Sequence, residues 1–146
     1  MSKNSFKVLR PGINTTFQDL GRDNLYHVGL PFSGAIDKRN FLIANSLITN
    51  KEDDAVLEFA YQGPLLEFSG SQTSIVITGN VNFKIIKKDT SEIKGECYRT
   101  YNLNDKDCLD IISTEKSVYG YLSVKGGFQI DKFCNCLLYT SDAADE

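Results

Sequence analysis

SIVITGNVNFKII, Ser74 to Ile86, decides the fold class. Ile75, Val76 and Ile77 are β-branched, stiff at χ1, and suit a pleated strand better than a helix. Gly79-Asn80 is a turn dipeptide, and Val81 to Ile86 after it reads as the hairpin partner of Ser74 to Thr78. Working outward, Phe6 to Leu9 is a short strand ended by Arg10-Pro11-Gly12, and Thr15 to Phe17 favours a second. Ala55 to Tyr61, Leu65 to Phe68, Tyr98 to Leu103, Cys108 to Ser113 and Val118 to Val124 add further short strands between turn signals. Lys87 to Glu96 is charged and without period, so it is expected to be an exposed loop. About eight short strands with one helix predict a mainly β domain, a closed or nearly closed β-barrel, because an open sheet of that size leaves unpaired edges.

The one principal helix belongs to GLPFSGAIDKRNFLIANSLITN, Gly29 to Asn50. Gly29, Pro31, Ser33 and Gly34 make its first part a loop. Asp37 is then a suitable N-cap, and Phe41, Ala44, Leu47 and Ile48 form one apolar stripe at helical spacing before Asn50 stops it. Ser33, Asp37 and Asn45 put polar groups just before, at the start of and inside this helix, where a pocket could be built.

The bulk composition narrows the function. At 146 residues, 41% hydrophobic and 24% charged, the chain is long enough to bury a core as one domain. Its net charge of -3 supplies no cation excess for phosphates or anionic lipid, so neither nucleic acid nor membrane is expected as a partner. MSKNSFKVLRPG lacks the apolar run of a signal peptide, and no segment has the length of a membrane span, so the expected compartment is the cytoplasm. Cys97, Cys108, Cys134 and Cys136 have neither zinc-site spacing nor disulfide-scaffold density, and His27 is the lone histidine. No metal is predicted. There is no GxxxxGK[ST], no GxGxxG after a strand and no GxSxG, and the lone methionine, Met1, excludes the Met-Lys signature of a biotin carrier.

Six ordered blocks carry more. They are TTFQDLGR (Thr15 to Arg22), GLPFSGAID (Gly29 to Asp37), Ala44-Asn45 with Leu47 and Asn50, Leu57-Glu58, Gly63-Pro64 with Leu66 and Phe68, and Tyr121 with Ser123 to Gly127. In that order they resemble the biotin-dependent carboxyltransferase, or allophanate hydrolase subunit 2, family, to which one of the 5-oxoprolinase subunits also belongs. The similarity runs from about Val8 to Phe128. Phe17 stands where a smaller aliphatic residue is usual and Ile36 where methionine is common. Family members are longer, so residues 1–135 are expected to be the first half of a two-part fold. Residues 136–146, CLLYTSDAADE, are similar to the in-frame translation of a sequencing-library transposase adapter, and are expected to be non-native.

The resemblance implies a cyclophilin-like β-barrel working beside other 5-oxoprolinase-type subunits on a small amide substrate. One implied activity is ATP-dependent opening of 5-oxo-L-proline to L-glutamate, with ATP required at the level of the complex. The other is transfer of CO2 from carboxybiotin to urea or a related amide, with biotin the cofactor in that case alone. A third reading is a non-catalytic regulatory partner of a kinase-inhibitor protein, since fold does not decide function. Amide chemistry needs donors for the oxygen, a cation for any carboxylate and a proton shuttle for the nitrogen. Asp37 and Glu58 are the acid/base candidates, against a helix cap for Asp37 and ordinary strand alternation for Glu58. Arg22 could clamp a carboxylate or pair with Asp19 or Asp23. Gln18 and Asn45 could hold a lactam or ureido group, against a structural bond from Asn45 to a neighbouring backbone carbonyl. Ser33 could donate to an oxyanion or merely to its own turn. Tyr119 and Tyr121 are expected to be wall aromatics, and His27 a polar neighbour of the loop.

Overall fold

A computed structural model describes residues 4–18 and 37–128. Arg22, His27, Ser33, the loop from Gly29 and the 136–146 tail lie outside the described residues. The described chain is mainly β, with one helix, as the residue pattern predicts. In order it forms β1 (Ser5–Arg10), β2 (Thr16–Gln18), α1 (Lys38–Leu47), β3 (Val56–Ala60), β4 (Leu65–Ser69), β5 (Gln72–Thr78), β6 (Val81–Ile86), β7 (Glu92–Lys94), β8 (Tyr101–Asn104), β9 (Cys108–Thr114) and β10 (Tyr119–Val124).

The strands build two five-stranded sheets, ordered β1-β4-β9-β6-β7 and β2-β3-β10-β5-β8, every pairing antiparallel. No ladder joins the two among the described residues, so the expected barrel closure is not seen there, and the two sheets enclose one core. That core includes Phe6, Phe17, Leu57, Phe59, Phe68, Ile75, Ile77, Phe83, Leu109 and Leu122. Each such side chain taken out of water stabilises the fold by about 1.5–3 kcal/mol before entropy is counted. Phe17 finds its larger volume used, its ring packing tilted against Phe128 at 5.2 Å between centroids, with Phe128 in turn 6.1 Å from Phe6.

Three expectations are corrected. Ser74 to Thr78 and Val81 to Ile86 are not a hairpin: β5 pairs with β10 and β8, whereas β6 pairs with β9 and β7. The burial of the two strands gives the reason. Ile75, Val76, Ile77 and Thr78 are all buried and need cover on both faces, while β6 alternates buried with half-exposed residues and needs it on one. Gly79, at φ +110°, turns the chain from one sheet to the other. Lys87 to Glu96 is not wholly loop, since Glu92–Lys94 is an exposed edge strand on β6, where Lys84 meets Glu92 at 3.3 Å. Edge strands carry charge, so an apolar period could not reveal it. Leu47 leaves the apolar stripe, being exposed, and Asn45 is buried in the helix instead.

α1 covers the outer face of the second sheet. Phe41 packs with Val56 and Tyr121, and Ala44 and Ile48 with Val76. This helix is not long and apolar enough to cross a membrane.

Candidate functional site

The site is built where the first turn of α1 meets the sheet. Asp37 caps the helix as the spacing predicts: its Oδ1 accepts from the Asn40 N–H at 3.1 Å and its Oδ2 from the Asn40 side-chain amide at 2.8 Å. Beneath it the strand registers align Thr16 of β2, Glu58 of β3, Tyr121 of β10 and Thr78 of β5 as direct neighbours in one row. Directly opposed residues point to the same face, with Cβ atoms about 4.5–5.5 Å apart. That face is the one α1 covers, and Thr78 Oγ1 donates to the Asn40 carbonyl at 2.9 Å.

Tyr121 joins the two acid/base candidates. Its hydroxyl accepts the Asp37 N–H at 2.7 Å and donates to Glu58 Oε2 at 2.5 Å. The Tyr121 side chain is wholly buried and Glu58 is only 5% exposed. Burial, and then the bond to Glu58, push the phenol well above the usual tyrosine range. A carboxylate and a helix start are therefore held together by one hydroxyl. Its signal in the sequence was its place in the last of the six ordered blocks, although an aromatic in an apolar strand reads first as packing.

Gln18 lies on the same strand face as Thr16, and its side-chain amide donates to Thr16 Oγ1 at 2.8 Å. Its Oε1 is buried and has no hydrogen-bond partner among the described residues. An unpaired buried acceptor costs about 1–3 kcal/mol, which a ligand N–H would recover.

Asn45 is brought to a different place. Its amide nitrogen donates to the carbonyls of Asp54 at 2.9 Å and Glu52 at 3.3 Å, and its Oδ1 accepts from Ser123 Oγ at 3.0 Å. Ser123 is two residues, roughly 7 Å, farther along β10 than Tyr121. The structure thus gathers Asp37, Glu58 and Gln18 near one row, sets Asn45 apart as a brace, and describes neither Arg22 nor Ser33. A second residue that the sequence did not single out is Asn40, whose Oδ1 also accepts from the Tyr98 hydroxyl at 2.6 Å. Among the described residues no group of three or more His, Cys, Asp or Glu could hold a metal ion.

Known proteins resemble this chain in sequence and in fold. A family profile described as "Carboxyltransferase domain, subdomain A and B" matches residues 28–139. The chain is 28% identical over 135 residues to a urea amidolyase of Lachancea kluyveri, covering 88% of this chain and 7% of that one. It is 29% identical over 120 residues to a 5-oxoprolinase subunit of Haemophilus influenzae, covering 82% of this chain and 37% of that one. The solved Kluyveromyces lactis urea carboxylase superposes with a TM-score of 0.76 at 28% identity, covering 91% of this chain and 12% of that one. The chain therefore spans well under half the length of each of these relatives.

Proposed function

The chain belongs to the carboxyltransferase domain family, subdomains A and B, and on that premise we propose that it forms part of a subunit acting on a small amide. The reading we place first is a 5-oxoprolinase-type complex that opens 5-oxo-L-proline to L-glutamate with ATP. It draws on the relative of which this chain spans the larger share, 37% against 7% for the urea amidolyase. In that reaction the lactam C–N bond breaks, water supplies the new C–O bond, and the nitrogen gains a proton. ATP would be required at the level of the complex.

The observation that carries the proposal is the Tyr121 hydroxyl linking Asp37 to Glu58 on the covered face of the sheet. In it Glu58 and Asp37 move the protons, Gln18 Oε1 accepts the ring N–H, and Arg22 and Ser33 hold the substrate carboxylate and carbonyl. The urea amidolyase and urea carboxylase likenesses favour a second reading, CO2 transfer from carboxybiotin to urea or a related amide. The buried Gln18 acceptor fits the ureido N–H of biotin as it fits a lactam, and biotin would then supply the carried CO2.

The test is to produce the full-length protein with its partner subunits and follow ATP hydrolysis and glutamate release with 5-oxoproline. A parallel reaction uses urea with a biotinylated carrier. We expect turnover on the first, lost by about a hundredfold or more in Glu58→Ala. Turnover on urea alone favours the second reading. Inactivity on both leaves the regulatory partner, and wild-type rates in Arg22→Ala, Asp37→Ala and Glu58→Ala overturn the site.

A further inference from the structure

We infer that Tyr121 is a positioning residue, whose buried hydroxyl takes the Asp37 N–H and gives its own proton to Glu58, holding that carboxylate in one orientation under α1. The inference rests on the assignment of proton transfer to Glu58. A phenol has one proton to give and two lone pairs. With one lone pair engaged by Asp37 N–H, the remaining bond directs the proton at Glu58 Oε2, and the ring is fixed independently of both. Phe41 and Val56 pack against it, and β10 holds it in register with Glu58 on one side and Thr78 on the other. Phenylalanine would fill that volume equally well.

What the hydroxyl adds is a coupling. Glu58 stands on β3 and Asp37 at the start of α1, and the same hydroxyl spans them. Thr78, bonded to the Asn40 carbonyl, ties the same helix turn to the sheet from β5. A helix start displaced from Tyr121 would take away the N–H that its hydroxyl accepts and so alter the bond the hydroxyl gives to Glu58. The carboxylate orientation used for proton transfer is in this way coupled to the seating of α1.

The test uses the full-length protein with its partner subunits and Tyr121→Phe. A bond to a charged group of this kind predicts a fall in kcat of about tenfold or more with KM little changed. It also predicts a displaced pH profile, and an unchanged rate and profile overturn the proposal. Adding Tyr121→Phe to Glu58→Gln should cost little further, because its partner is already altered, and full additivity also overturns it. Carbon-13 carboxyl spectra of Glu58 give a readout independent of activity. The Glu58 resonance should move in Tyr121→Phe while that of Glu67, on the other sheet, stays. If the wild-type complex is inactive on both substrates but the Glu58 resonance moves, the function fails and the positioning stands. If Tyr121→Phe does not fold, 3-fluorotyrosine at position 121 keeps ring and hydroxyl, and a Glu58 resonance it leaves unmoved counts against the proposal.

Discussion

Asn45 and Ser123 stand 78 residues apart in the chain and meet at 3.0 Å, both buried, the serine hydroxyl donating to the amide oxygen. Around them Asn50 donates to Ser123 Oγ at 3.2 Å and to the Val124 carbonyl at 2.7 Å. An asparagine inside a helix is costly unless its amide is bonded, and here the amide ties the end of α1 to the following loop and to β10.

Asn45→Ala should therefore behave as a folding mutation. It leaves the Asp54 carbonyl and the Ser123 hydroxyl without this partner, at a cost of about 2–4 kcal/mol, read as a lowered midpoint in urea. A raised KM with unchanged stability would instead return Asn45 to the substrate.

Asp107 is expected to contribute to acid sensitivity. Its side chain is 2% exposed, and it accepts from Lys87 Nζ at 2.6 Å, Asn104 N at 2.8 Å and Lys88 N at 3.1 Å. Burial alone raises a carboxyl, but the Lys87 ammonium and the two backbone donors outweigh it and hold Asp107 below the usual range. A depressed carboxyl contributes stability that is present above the unfolded value, about 3.9, and lost as pH falls through the folded one. Unfolding free energy measured below about pH 4 should fall less steeply in Asp107→Asn than in the parent, and the two curves should differ most at neutral pH.

These two residues show what the sequence could carry. Local signals were legible: Asp37 as a cap and the β-branched run at Ile75 to Ile77 each depend on near neighbours, although α1 ends at Leu47 with Ile48 as its C-cap, before the expected stop at Asn50. The destination of a strand was not. Gly79-Asn80 looks like a hairpin turn, and only the two-sided burial of β5, supplied by α1 and the opposite sheet, sends β6 elsewhere. The same limit governs the site. Glu58 was visible as a carboxylate in an apolar strand, but its bond to Tyr121 depends on the β3–β10 register, set 63 residues away.

Tyr121 predicts the alkaline limit. Its folded value is raised, so its contribution to stability is intact below the unfolded value, about 10, and is lost as pH rises beyond that. In a spectrophotometric titration at least one of the seven tyrosines should stay protonated until the chain unfolds. Tyr121→Phe should remove that late step. A late step that survives the substitution assigns it to another ring.

Asp37 permits a separation of cap from chemistry. Serine at a helix N-cap still accepts the backbone N–H, so Asp37→Ser should hold stability within a few tenths of a kcal/mol. Asp37→Ala removes both acceptors from Asn40 and should cost about 1 kcal/mol. In the full-length complex the two variants then diverge by mechanism. If Asp37 moves a proton, Ser and Ala lose turnover alike although only Ala is destabilised, because neither carries a carboxyl. If Asp37 acts through the helix start, where its N–H meets the Tyr121 hydroxyl, Ser restores turnover along with the cap. Thermal midpoint and kcat measured on the same preparations decide it, and restored turnover in Asp37→Ser leaves proton transfer to Glu58 alone.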